Sequence, residues 1–106
     1  MRIYIASPYT QGDPLANVRR QIDAAEQLAT KGHVPILPLL SHFWDEVYPH
    51  PWEFWIAQCL QLLPMADAVL RLDGVSVGAD IEVREAKNIG LPIYYGIDVI
   101  PADGNL

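Results

Sequence analysis

The chain has 106 residues, a formal net charge of −6 and a hydrophobic fraction of 51%. This length supports one domain with a single core, and the composition is globular rather than disordered. An acidic chain lacks the clustered Lys and Arg that hold nucleic-acid backbones, so we expect no nucleic-acid polymer as a partner. The single cysteine, Cys59, excludes an internal disulfide, and no window of the sequence is apolar enough for a membrane span. We therefore expect one cytoplasmic domain over residues 1–106.

The first half of the chain predicts strand, helix and strand. "RIYIAS" is a β-branched and aromatic run typical of a buried strand. A helix follows, with Asp13 as its N-cap, Pro14 in its first turn and Lys31-Gly32 at its end. Apolar residues recur along it at helical spacing: Leu15, Val18, Ile22, Ala25 and Ala29. "HVPIL" is the second strand, and its two prolines place it at a sheet edge, where a missing N–H does least harm.

The second half predicts two more strands and two more helices. Residues 38–52 are rich in proline and aromatic side chains, and we predict a long loop with a function there. "WEFWIAQCLQLL" is a helix that Pro64 ends, and "ADAVLRL" is a third strand buried on both faces. "SVGADIEVREAKNIG" is a helix closed by Gly90, and "LPIYYG" is a fourth strand. The tail "IDVIPADGNL" adds a short strand or a turn.

Strands that alternate with helices imply right-handed βαβ crossovers and a parallel sheet. A strand order of 2-1-3-4, with a fifth strand at the far edge if the tail forms one, puts the proline-bearing second strand at an edge. The switch point then lies between strands one and three, and ligands bind there at the carboxyl ends of the strands. The segments "SPYTQGD" and "DGVSVGADIE" should meet across that crevice.

The segment "SPYTQGD" offers groups for a ligand. Ser7 supplies a hydroxyl and a backbone N–H, and Tyr9 supplies a ring or a phenol. The alternative is a polar turn in which Pro8 and Gly12 only shape the chain. The sequence has neither G-x-G-x-x-G nor G-x-x-x-x-G-K-S/T, so the dinucleotide and P-loop fingerprints are both missing.

The segment "SVGADIE" places a carboxylate on the apolar side of a helix. Ser76 can cap that helix, and Gly78 lets backbone N–H groups approach an anion. We expect the positive end of the helix dipole to keep Glu82 ionised. An ionised, partly desolvated carboxylate at this place suits nucleophilic attack on an anomeric carbon. The alternative is an ion pair with a basic residue at the helix edge: Arg71, Arg84 or Lys87.

The segment 42–55 is dense in aromatic residues: Trp44, Tyr48, Trp52, Phe54 and Trp55. These rings can stack on a base or a sugar, with a dimer interface and a plain core as open alternatives. His42 and His50, with Asp45 and Glu46, have the chemistry of metal ligands. Their spacing fits no standard site, so we expect no metal and no organic cofactor.

Three of these segments, "IYIASPYT", "ADAVLRLDGVSVGADIEVREA" and "GLPIYY", resemble the nucleoside 2-deoxyribosyltransferase superfamily, above all its uncharacterised branch in bacteria and phages. The similarity runs from Arg2 to about Tyr95. It implies a three-layer flavodoxin-like or Rossmann-like sheet of four or five strands, and a homodimer or larger homo-oligomer. It also implies N-glycosidic chemistry on a nucleoside or nucleotide, as base exchange or as hydrolysis of nucleoside monophosphates.

The resemblance also implies roles for residues. Glu82 would be the nucleophile, and Tyr9 would orient Glu82 or the sugar. Ser7 stands where relatives often have glycine. The expected substrate-binding residues are Ser7, Pro8, His42, Trp44, Asp67, Ser76 and Gly78.

One position departs from the family. Relatives carry an aspartate eight residues before the "AD" aspartate, where it helps to protonate the leaving base, and this chain has Cys59 there. A thiol with a pKa of about 8.5 is a poor proton donor, and positioned proton transfer is typically worth about 10²–10⁴-fold in rate. Another acid would then replace it, namely His42, Asp45 or Glu53. Otherwise the chain is a weak or inactive nucleotide-binding module, or an assembly surface with a vestigial pocket.

Overall fold

Four parallel strands form the centre of the fold in a computed structural model that describes residues 1–103. They are β1 (Arg2–Ala6), β2 (Val34–Ile36), β3 (Ala68–Arg71) and β4 (Ile93–Tyr94). Their order is β2-β1-β3-β4, and all neighbouring pairs are parallel. The predicted order is therefore confirmed, with β2 at an edge.

The tail forms no fifth strand in the described part of the chain. We expected a short strand or a turn there, and Ile97–Val99 is a short 3₁₀ helix, which corresponds to the turn. Residues 104–106 of the predicted tail lie outside the described residues.

Four helices cover the two faces of the sheet: α1 (Pro14–Thr30), α2 (Ser41–Val47), α3 (Trp52–Leu62) and α4 (Val77–Asn88). Because side chains alternate along a strand, β1 contributes core residues to both faces of the sheet. Ile3 and Ile5 pack against Leu28 of α1 on one face. Tyr4 packs on the other face, in a cluster that includes Ala86 of α4. The fold is thus a three-layer α/β arrangement of the flavodoxin-like kind. None of the helices in residues 1–103 has the length and apolar character needed to cross a bilayer.

The ends of α1 lie where the sequence predicts them. The Asp13 carboxylate accepts a hydrogen bond of 3.1 Å from the Leu15 amide, and Pro14 takes the first turn. Gly32, with φ +91°, follows the last turn. The predicted apolar face is wrong in part, because Leu15 is 54% exposed and Ile22 is 42% exposed. The helix instead buries Val18, Gln21, Ala24, Ala25 and Leu28.

The predicted loop over residues 38–52 is also wrong. Pro38–Leu40 is a 3₁₀ helix, and α2 continues directly from it. Pro38 stands at the first helical position, where no N–H is needed. Further along, His42 and Glu46 lie one turn apart and pair at 3.0 Å. This helix carries the titratable side chains of His42 and Asp45 to the crevice.

Candidate active site

A cavity of about 520 Å³ lies at the carboxyl ends of β1 and β3, next to the point where the chain leaves the two strands toward opposite faces. Its wall is built by the segment after β1, by α2 and α3, and by the start of α4. Predicted site residues among those that line it are Ser7, Tyr9, His42, Ser76, Gly78 and Glu82. The two segments that we expected to meet across the crevice therefore do so.

Glu82 is held inside the wall by the start of α4. Ser76 caps this helix, because its hydroxyl oxygen accepts a hydrogen bond of 3.0 Å from the Ala79 amide. Glu82 is only 6% exposed, and its Oε2 accepts a hydrogen bond from the hydroxyl of Tyr4 on β1. Tyr4 is fully buried. Tyr4 was not predicted from the sequence, because it alternates with two isoleucines in a strand and has the pattern of an ordinary core residue.

Burial raises the pKa of Glu82 to about 8. The expectation of an ionised carboxylate at neutral pH is therefore wrong. The reason is position: Glu82 is the sixth residue of α4, and the favourable field of a helix end falls off within the first turn. The alternative pairing with Arg71 is not formed either, because Arg71 pairs with Asp80 at 3.0 Å.

Ser7 is buried and tied to α1 by a side chain that the sequence analysis did not single out. Nε2 of Gln21 donates to the Ser7 hydroxyl at 2.8 Å and to the Ile5 carbonyl at 3.0 Å. The Leu39 amide donates to Oε1 of Gln21 at 2.9 Å. This buried amide therefore joins the end of β1 to the segment before α2. A polar residue within the apolar periodicity of α1 was the signal that could have pointed to it.

Tyr9 contacts a histidine rather than Glu82. Its hydroxyl lies 2.6 Å from Nδ1 of His42, and Nε2 of His42 lies 3.0 Å from a carboxylate oxygen of Glu46. The contact to Glu82 that we expected from Tyr9 is instead made by Tyr4. Tyr9 and His42 both line the cavity, so they present a phenol backed by an imidazole to its interior.

Asp45 is a second carboxylate in the cavity wall. Its Oδ1 accepts hydrogen bonds from the His50 amide at 2.9 Å and from Nε1 of Trp55 at 2.7 Å. These bonds lower the pKa of Asp45. Burial raises the pKa of the Tyr9 phenol, and the charges of Asp45 and Glu46 raise it further. The wall near Tyr9 is therefore acidic.

Cys59 of α3 also lines the cavity, at the position where the resemblance would place an aspartate. Burial raises the pKa of its thiol to about 11. It is therefore a weaker acid than a free cysteine, and protonation of a leaving group by this side chain is disfavoured.

The sequence over residues 1–96 matches a family described as a domain of unknown function, DUF7768. The chain belongs to the DUF7768 family. A search of the curated proteins finds no significant match. The fold of this DUF7768 domain is similar to that of a solved 2-deoxyribosyltransferase from the psychrotolerant bacterium Bacillus psychrosaccharolyticus. The TM-score is 0.62 at 19% identity, over 88% of this chain and 69% of the other. At this identity the likeness establishes the fold, and to that extent it supports the superfamily resemblance.

Three expected substrate-binding residues of the DUF7768 domain do not line the cavity. Pro8 packs against the backbone of Gly74. Trp44 stacks edge to face on Trp55, with ring centroids 4.8 Å apart. Asp67 lies at the amino end of β3, where it accepts a hydrogen bond of 2.8 Å from the Arg2 amide. Asp67 is thus at the wrong end of a parallel strand, and the positions of these residues do not support substrate contacts.

Gly78 does not owe its place in α4 to backbone conformation. A Cβ there would lie 3.7 Å from Ile56 and 3.9 Å from Trp52, which are ordinary contacts. Its effect is to leave space in the cavity beside these two side chains. Within residues 1–103 no group of three or more His, Cys, Asp or Glu side chains is placed to hold a metal ion.

Proposed function

We propose that this DUF7768 domain cleaves the N-glycosidic bond of nucleosides and either releases the base or exchanges it for another. The observation that carries the proposal is the Glu82 carboxyl, which is buried in the cavity wall and hydrogen-bonded by Tyr4. Further support comes from the position of the cavity between β1 and β3 and from a fold similar to that of a 2-deoxyribosyltransferase. Retaining glycosidic chemistry needs such a carboxyl as its nucleophile.

In the proposed reaction, ionised Glu82 attacks C1′ of the sugar. A bond forms between C1′ and a carboxylate oxygen, and the electron pair of the C1′–N bond leaves with the base. Water or a second base then attacks C1′ and releases Glu82. The Tyr4 hydroxyl fixes the orientation of the Glu82 carboxyl and stabilises its negative charge when Glu82 is released from C1′. Ser7, Ser76 and Gly78 would hold the 5′ end of the sugar at the amino end of α4.

The charges in the cavity favour an uncharged nucleoside over a nucleoside monophosphate. In the described part of the chain, no Lys or Arg lines the cavity, whereas the carboxyl groups of Asp45 and Glu82 do. Phosphate groups are most often bound by Arg or Lys. The amino end of α4 and the nearby serine hydroxyls can hydrogen-bond to a 5′ hydroxyl, whose binding needs no positive charge.

A chromatographic assay for free base tests the proposal against a panel of nucleosides and nucleotides. Glu82→Gln should abolish base release, and Glu85→Gln, a matched change on the same helix, should not. Because the nucleophile must be ionised and the pKa of Glu82 is raised to about 8, kcat/KM of the wild type should rise with pH over part of the range below about 8. Unchanged turnover in Glu82→Gln would contradict the mechanism.

Cys59 favours a second candidate function, a nucleotide- or nucleoside-binding module without chemistry. Its thiol stands in the cavity wall and is a poor acid. This candidate predicts saturable binding and no free base after long incubation with concentrated protein. If the wild type is silent, Cys59→Asp separates a crippled enzyme, which should gain activity, from a binder, which should not.

Self-association is a further part of the proposal. Trp52, Val75 and Val77 line the cavity and are 43%, 77% and 69% exposed, respectively. Exposed apolar side chains grouped in this way are typical of a contact surface. Sedimentation velocity of the purified chain measures whether it forms the expected homo-oligomer.

A further inference from the structure

Three side chains form a hydrogen-bonded chain at the cavity wall, which we call the Tyr9–His42–Glu46 chain. The Tyr9 hydroxyl and Nδ1 of His42 are 2.6 Å apart, and Nε2 of His42 is 3.0 Å from Glu46. The His42 side chain is 14% exposed, whereas Glu46 at the outer end is 64% exposed. The chain thus runs from the cavity to solvent.

The Tyr9–His42–Glu46 chain has two states that differ by one proton. With a neutral imidazole, the Tyr9 hydroxyl donates to Nδ1, and Nε2–H donates to Glu46. With an imidazolium, Nδ1–H donates to the Tyr9 oxygen, and the phenolic hydrogen is free to point elsewhere. In the second state that hydrogen is available to an acceptor in the cavity, because Tyr9 is part of the wall.

The surroundings of His42 fix the position of its ring. Nε2 faces a carboxylate oxygen of Glu46 at 3.0 Å, and Nδ1 faces the Tyr9 hydroxyl at 2.6 Å. Tyr9 and Phe43 pack edge to face on the ring, with centroids 5.8 Å and 5.2 Å from its own. These contacts hold the imidazole in one orientation between the phenol and the carboxylate.

We propose that Tyr9, backed by His42, protonates the leaving base in place of the carboxyl group that Cys59 does not supply. This inference rests on the proposed function. As the C1′–N bond breaks, the phenolic proton of Tyr9 moves to a nitrogen of the base, and in the same step the Nδ1 proton of His42 moves to the Tyr9 oxygen. No free phenolate forms, so the raised pKa of the phenol does not oppose the transfer as that of the Cys59 thiol does. When water or a second base attacks C1′, it gives a proton to Tyr9, and Tyr9 returns one to His42. Tyr9 is the catalytic residue here, and His42 and Glu46 act through it.

The test compares two leaving groups on the same sugar. One substrate is a nucleoside that the wild type cleaves, or 2′-deoxyadenosine if the panel finds none. The other is the 4-nitrophenyl glycoside of that sugar, whose leaving group departs as a stable anion without protonation. Tyr9→Phe and His42→Gln should lower kcat/KM for the nucleoside by roughly 10²–10⁴-fold and for the nitrophenyl glycoside by only a few-fold. Glu82→Gln should lose both activities, and Glu26→Gln on the exposed side of α1 should lose neither.

Each result separates the inference from the function on which it rests. Equal losses on both substrates would overturn the role of Tyr9 and leave the proposed function standing. No product from either substrate with the wild type at any pH between about 6 and 9 would overturn both. Thermal melting checks that each variant is folded. Glu46→Gln is the fallback if His42→Gln does not fold, because Glu46 is an exposed surface side chain, and it should show a smaller loss that is again confined to the nucleoside.

Discussion

The buried carboxyl of Glu82 should make the stability of the protein fall as the pH rises. Burial raises its pKa from 4.5 to about 8, so between these values the folded protein holds a proton that the unfolded chain has released. The folded state then binds more protons than the unfolded state, and the free energy of unfolding decreases with pH. The stabilisation is complete below pH 4.5 and is lost once the pH exceeds about 8.

The size of this decrease follows from the two pKa values. They differ by roughly 3.5, and each pH unit between them corresponds to about 1.4 kcal/mol, which gives a total of roughly 5 kcal/mol. The free energy of unfolding of a small domain is about 5–15 kcal/mol, so the ionisation of this one side chain controls a large share of the stability. The value depends on the 6% exposure of Glu82, because water that reached the carboxyl would reduce it.

Glu82→Gln isolates the effect, because glutamine resembles the neutral carboxyl in shape but does not titrate. Urea unfolding of both proteins at several pH values between about 5 and 9 gives the difference in unfolding free energy at each pH. The variant should gain on the wild type steadily across this range, with the gain levelling off above pH 8. The same comparison with Glu85→Gln, at a half-buried position of α4 outside the cavity wall, should be flat.

A difference between wild type and Glu82→Gln that does not change with pH would refute the reasoning. Glu82 would then be ionised in the folded protein across the whole range, and the burial of its carboxyl would be compensated in some other way. The denaturant slopes of the two proteins should be equal, since a change in slope would show that the variant alters the folded or unfolded state.

Two further predictions concern neighbours of the site. Cys59→Asp should raise base release by less than about tenfold in the chromatographic assay, because Tyr9 and His42 already supply a proton, and a gain of roughly 10²–10⁴-fold would show that the wild type lacks a donor. Gly74→Ala should lower the unfolding free energy by about 1–3 kcal/mol in urea, since φ is +121° and the new Cβ would lie 2.9 Å from Pro8. The loss for Gly74→Ala should exceed the loss for Gly90→Ala, because a Cβ at Gly90 would meet no atom within 4 Å. Equal losses would exclude the Pro8 contact as a cause.

The strand order could be predicted because local signals and topology agree. Pro35 removes a donor, which suits the edge position of β2. Asp13 and Gly32 mark the ends of α1 by cap chemistry that acts over a few residues. Once the strands alternate with helices, the handedness of crossovers leaves few arrangements. The position of the crevice followed from the order, and so did the meeting of the segments that carry Ser7 and Glu82.

The contacts inside the crevice could not be predicted in the same way. Tyr4 and Glu82 are 78 positions apart, and only the parallel pairing of β1 with β3 and the packing of α4 bring them together. A seven-residue helix such as α2 is too short for periodicity to separate it from a loop. The sequence therefore predicted that Tyr9 orients Glu82 or the sugar, whereas α2 places His42 against it.

Whether the protein acts as an enzyme or only as a binding module depends on the protonation states of its site residues more than on which residues are present. The proposed reaction needs Glu82 without its proton and the Tyr9–His42–Glu46 chain with one. Because burial raises the pKa of Glu82 to about 8, Glu82 is mostly protonated at pH 7. Silence in a single assay at neutral pH would therefore not identify a binding module. A series of assays across about pH 6 to 9 would distinguish the two. An enzyme of the proposed kind must gain activity over part of that range, whereas a binding module releases no base at any pH.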